Sequence, residues 1–173
     1  MSSQHLLIDN VAFAKRNEHA VGDIMLADFV RLSDLLRAHA LGDGGREAKV
    51  KGQIHYVLDG KTDAIGRNFL HLAINANLTV ICQRCLDIMP LELDISFDYL
   101  ITDQKLQDAD AEEDDDFDMQ EASQAMDLLA LIEDELIMAI PMAPMHENNC
   151  GSGVTESGEK SNPFSALKGL FKS

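Results

Sequence analysis

Two long alternating runs joined by a Cys-x-x-Cys constrain this chain more than any other feature. Leu70, Leu72, Ile74, Ala76, Leu78, Val80 and Cys82 fall on one side of an extended segment, and His71, Asn75, Asn77 and Thr79 on the other. After Cys82-Gln83-Arg84-Cys85 the pattern resumes, with Met89, Leu91, Leu93, Ile95, Phe97 and Tyr99 on one side and Glu92, Asp94, Ser96 and Asp98 opposite. A period of two belongs to a strand with one buried face. So short a connection between two such strands implies antiparallel pairing. The two cysteines then sit at the tip of the pair.

Other segments fill in the architecture. Lys49 to Leu58 alternates through Val50, Ile54 and Tyr56, and Asp59-Gly60 reads as a hairpin turn. Residues 21–26 read as extended. Asp28 is placed to cap a helix whose apolar stripe is Phe29, Leu32, Leu35, Leu36 and His39, and the glycines of 41–45 end it. A second helix runs from Asp127 to Ile140, apolar at Leu128, Leu131, Ile132, Leu136 and Ala139, and Pro141 stops it. The fold class expected is α+β: an antiparallel β-sheet packed with helices, its closure toward a barrel left open. Residues 1–150 read as one globular domain. Residues 151–173 read as a flexible linker followed by a short amphipathic segment that begins at Pro163. No apolar run approaches the roughly 20 residues of a membrane span, and residues 1–5 do not resemble the start of a signal peptide. A soluble, cytoplasmic protein is expected.

Charge narrows the partners. Thirty acidic residues face 14 basic ones, a formal net charge of −16. Such a surface repels phosphate backbones, which bind through lysine and arginine clusters, and suits a basic protein. Residues 103–121 hold ten of the acids and a single lysine, so a mobile acidic loop is expected there. Its Asp110, Glu112, Glu113, Asp114, Asp115, Asp116 and Asp118, with Glu133, Asp134 and Glu135 on a solvated face of the second helix, form the expected partner surface. Alternate acids in the loop also match the ligand spacing of a calcium-binding EF-hand. Asp115, however, stands where that loop needs glycine for its sharp turn, which argues against calcium.

The cysteines carry the remaining chemistry. Cys82 and Cys85 have metal-ligand spacing, and His146 and Cys150 offer a complementary pair; together they would form a closed, structural Cys₃His zinc site if the chain joins the two halves. Two other readings stay open. Cys82 lies on the buried side of its strand and suits a plain core thiol. Redox Cys-x-x-Cys motifs open a helix, whereas strands flank this one. No phosphate-binding glycine loop, HExxH or GxSxG occurs, so an enzyme is not expected. Arg84, between the two cysteines, is placed to meet a carboxylate or a phosphate.

Taken together, Cys82-Gln83-Arg84-Cys85, the helix from Asp127 to Pro141, His146 with Cys150, and the Asn162-Pro163-Phe164-Ser165-Ala166-Leu167 segment resemble the bacterial YceD family of large ribosomal RNA subunit accumulation proteins. The resemblance implies a role in ribosome synthesis, in accumulation of 23S rRNA, and supplies no catalytic residues. With the charge, it leads to a non-enzymatic accessory factor that binds a basic ribosomal protein or large-subunit assembly factor. Asn162, Pro163, Phe164 and Leu167 would then be a tethered docking motif. One alternative is a direct 23S rRNA-binding protein using Arg84, Lys49, Lys51, Lys168 and Lys172. The other is an RNA-processing enzyme.

Overall fold

The computed structural model describes residues 6–40, 52–103, 117–148 and 150. Its frame is a meander of three long strands, β3 (Gly52–Thr62), β4 (Asn68–Ile81) and β5 (Ile88–Thr102). They pair antiparallel, with Leu72 opposite Leu58 on one side and Phe97 on the other. β2 (His19–Met25) adds antiparallel to β3, and β6 (Asp118–Glu121) adds parallel to β5, giving the order β2-β3-β4-β5-β6. β1 (Leu7–Ile8) and β7 (Met126–Asp127) make a separate small pair. The five-stranded sheet has two ends, so it does not close into a barrel.

Three α-helices occur among the described residues: α1 (Asn10–Lys15), α2 (Val30–Ala40) and α3 (Leu128–Ala139). Leu32 and Leu36 of α2 and Leu128, Ile132 and Leu136 of α3 join Ile54, Leu58, Leu70, Leu72, Ile74 and Leu78 of the sheet in one buried cluster. The alternation expected for 70–82 holds residue by residue, each expected inward side chain being buried. Asp127 caps α3, its carboxylate accepting from the N–H groups of Leu129 and Ala130.

Two local expectations need correction. Asp59-Gly60 is not a turn, because β3 runs on to Thr62. The reversal comes at Asp63–Arg67, where the Asp63 carboxylate accepts from the N–H groups of Ile65 and Arg67 and Gly66 takes φ +90°. Gly60 serves instead as the floor for α1. A Cβ there would lie 2.7 Å from both Cδ1 and the carbonyl oxygen of Phe13. At the start of α2, Asp28 falls in a 3₁₀ turn (Leu26–Asp28), and the N–H of Leu32 donates to Glu133 Oε1 of α3 at 3.0 Å. α3 thereby satisfies one of the free donors in the first turn of α2. The readings made for His39 as a packing side chain, the 41–45 turn, Lys49, Val50 and Lys51, the acids Asp110 to Asp116, and all of 151–173 lie outside the described residues.

Candidate metal centre

The tip between β4 and β5 is a tight, doubly bonded turn. Cys82 N–H donates to the Asp87 carbonyl, and Leu86 N–H donates to the Cys82 carbonyl, both at 2.9 Å. To close it, Leu86 adopts φ +62°. A residue with a Cβ takes on roughly 1–2 kcal/mol of strain there, so the turn is held by something beyond local preference. Both thiols then face one side. Arg84 N–H points at Cys82 Sγ, 3.5 Å away.

The second pair arrives from the far side of the fold. α3 ends before Pro141, and Gln83 N–H donates to the Pro144 carbonyl at 2.8 Å, which brings the segment after α3 to the tip. The donor atoms of Cys82, Cys85, His146 and Cys150 consequently all lie within 4.8 Å of one another, close enough to hold a metal ion. Cys82 Sγ is 3.6 Å from Cys150 Sγ, and Cys85 Sγ is 3.5 Å from His146 Nδ1. A tetrahedron built on Zn–S of about 2.3 Å and Zn–N of about 2.0–2.1 Å has edges of ~3.8 Å and ~3.5 Å. These two edges have tetrahedral lengths, the other donor separations stay within 4.8 Å, and the donor set fits a divalent ion such as zinc.

Electrostatics agree with that fit. Burial works against ionisation of Cys82, but the backbone N–H groups of Cys85, His146 and Arg84 and the Cys150 thiol outweigh it and hold the group down at about 5. Cys85 goes the other way, up to about 11: the Asp87 N–H favours its thiolate, while burial and the sulfurs of Cys150 and Cys82 oppose it more strongly. One thiolate is stabilised and a second is resisted. A divalent cation removes that conflict, because it compensates several thiolates at once. The thiol separation of 3.6 Å is far from a bond, and all three cysteines are free.

The partner-facing residues expected from sequence fare differently. Arg84 is exposed at the tip and reaches along 145–148, with Nη1 3.5 Å from the Asn148 carbonyl. Asp118 is exposed on β6. Glu133 and Glu135 are buried, which corrects the expectation of a solvated acidic face on α3. Glu133 pairs with Arg31 Nε at 2.8 Å while accepting from Leu32 N–H. Tyr99 OH donates to Glu135 Oε1 at 2.7 Å, and Glu135 Oε2 is buried with no hydrogen-bond partner. Asp134 alone of the three stays half-exposed, bound to Arg31 Nη1 at 2.6 Å. Sequence reading also missed three cross-strand pairs, His19–Asp59, His55–Asp23 and His71–Asp98. Their only signal was outward alternation, and the pairing depends on strand register.

An open, mostly antiparallel sheet covered on one face by helices, with four convergent side chains able to hold a metal ion at its longest hairpin, defines the class: an α+β domain carrying a Cys₃His cluster. The chain belongs to the family described as large ribosomal RNA subunit accumulation protein YceD, whose model matches residues 70–171, a span that takes in all four cluster residues. Membership implies a role in accumulation of large-subunit ribosomal RNA. No curated protein and no solved structure matches the chain. Among the described residues no helix is long and apolar enough to cross a membrane.

Proposed function

We propose that this chain is a non-enzymatic, cytoplasmic accessory factor of large-subunit biogenesis that supports 23S rRNA accumulation by binding a basic ribosomal protein or assembly factor, with a structural zinc ion at Cys82, Cys85, His146 and Cys150. The observation that carries the reading is the net charge of −16 on a member of this family. A surface with more than twice as many acids as bases attracts lysine- and arginine-rich proteins over a distance set by the ionic strength, and it resists a polyphosphate chain. The metal reading is supported by the ligand count. Four protein donors fill a tetrahedral shell and leave no position for a substrate or an activated water, the arrangement of structural rather than catalytic zinc. The ion would tie the segment after α3 to the hairpin tip and keep Arg84 on the surface.

The test is affinity capture of the tagged chain from cells at low salt, with half of each sample treated with RNase before elution. A basic ribosomal protein or assembly factor retained after RNase is the expected result. Loss of every ribosomal partner together with the RNA overturns it in favour of direct rRNA binding.

A further inference from the structure

The sheet has two unlike faces. One is covered by the helices; on the other, Phe117 packs on Phe69 at one end, ring centroids 5.0 Å apart, and the rows beyond it carry half-buried and exposed side chains. Two rows of polar residues cross this open face in register. His19, Asp59, His71 and Asp98 stand side by side on β2, β3, β4 and β5, and four residues further along β2 a second row holds Asp23, His55, Asn75 and Asp94. Between them runs a third row, Val21, Val57, Ala73 and Ser96, with Val21 55% exposed. At strand spacing the polar rows lie ~13 Å apart, so a strip with an apolar centre is flanked on both sides by carboxylates.

The histidines organise those carboxylates without consuming them. Nδ1 of His19, His55 and His71 lies 2.6, 3.1 and 2.8 Å from Oδ1 of Asp59, Asp23 and Asp98. Each contact engages one oxygen of its carboxylate. With Glu92 and Asp94, five carboxylates point outward from β2–β5, against Lys61 and the guanidinium of Arg67, which lies over the Phe69 ring at that end of the face. An apolar middle within a polar rim is the anatomy of a protein interface, and the sign of the rim selects the partner. α3 does not compete for this role, since Glu133 and Glu135 are turned inward.

We propose that the sheet face opposite the helices is the docking surface for a basic protein, whose lysine and arginine side chains meet the two carboxylate rows while an apolar patch covers the strip of Val21, Val57 and Ala73. The proposal rests on the reading that the partner is a basic protein, and it says where that partner sits. Pre-ordered carboxylates lower the entropy lost on binding, and their alignment in rows gives the partner an orientation that a diffuse negative charge does not.

The experiment uses the full chain, immobilised, and RNA-free protein extracted from large ribosomal subunits. The retained basic protein is identified and purified, and its dissociation constant is measured at low salt against three chains: wild type, Asp94→Lys/Asp98→Lys on the open face, and Asp28→Lys/Glu147→Lys elsewhere. Both variants change the net charge equally. The expected result is about a tenfold or greater loss for the face variant and less than about twofold for the other. Should the charge-reversed face variant fail to fold, Asp94→Asn/Asp98→Asn takes its place, with about a threefold or greater loss expected. Equal losses in both variants, or an unaltered affinity in the face variant, overturn the docking surface and leave basic-protein binding standing. If wild type retains no basic protein, the underlying reading fails first.

Discussion

Removing the proposed zinc ion is the sharpest perturbation the site allows. Zinc at the cluster would bridge Cys85 and His146, 61 residues apart. Beyond the cluster itself, the segment that carries His146 and Cys150 is held to the tip chiefly by the Gln83–Pro144 hydrogen bond and contacts of Arg84. A permanent cross-link over that interval is worth about 4 kcal/mol in the chain-entropy account. An ion that leaves on unfolding contributes by mass action, ~2.7 kcal/mol at a free concentration of 100 times its Kd and ~4.1 kcal/mol at 1,000 times. The two routes agree on roughly 3–4 kcal/mol. For a chain of this length that corresponds to a fall in Tm of roughly 6–16 °C. The assay pairs elemental analysis of the purified protein with thermal unfolding before and after chelation, followed by zinc titration. Hydrogen exchange should place the loosening at Gln83, Leu86 and the segment after α3, with the Leu70–Leu78 core unchanged. Absence of stoichiometric zinc, with no rise in Tm when it is added, would refute the reasoning and leave the four side chains as a packed thiol cluster.

Other sites give simpler tests. Gly60→Ala drives a Cβ to within 2.7–2.8 Å of Phe13 and the Ala14 backbone, so denaturant unfolding should show a loss of about 1–3 kcal/mol, arising from displacement of α1. Asn10 is fully buried and uses both ends of its amide, donating to the Glu121 carbonyl and accepting from Ser123 N–H at 2.9 Å each; Asn10→Ala strands both backbone groups and should cost about 2–4 kcal/mol by the same assay. Burial, reinforced by the charges of Asp118 and Asp134 and only partly offset by the Tyr99 hydrogen bond, raises the Glu135 carboxyl. Its protonated form is thus favoured in the folded state, and the stability it contributes is complete below the ordinary glutamate range and fades as pH rises through the raised value. Glu135→Gln should therefore flatten that decline, and equal pH dependence in variant and wild type would count against the assignment.

The parts of this fold that could be read from sequence were those written in period two. Seven inward positions from Leu70 to Cys82 leave one strand register that buries them, and a four-residue tip then forces the hairpin. Misreadings arose where a local pattern had a distant cause. Asp59-Gly60 has turn composition, yet its glycine answers to Phe13, some 47 residues earlier in the chain. Glu133, Asp134 and Glu135 look like a solvated face because their partners Arg31 and Tyr99 lie 102 and 36 residues away. Six residues of α1 are too few to show a helical period. Of the metal centre, both ligand pairs were legible as spacings. Their meeting involves a backbone hydrogen bond from Gln83 to Pro144 and contacts of Arg84 with Met145 and Asn148, none of which a sequence spacing announces.

That division of ligands has a consequence in time. Synthesis runs from the N-terminus, so the hairpin tip with Cys82 and Cys85 is made well before His146 and Cys150 appear. β2 to β5 can pair meanwhile, because each partner strand is already present. The four-donor shell closes only after β6, β7 and α3 have been added and the chain has come back across the tip. Metal capture would then be the last event of assembly, a latch that engages on a finished domain and ignores a partial one.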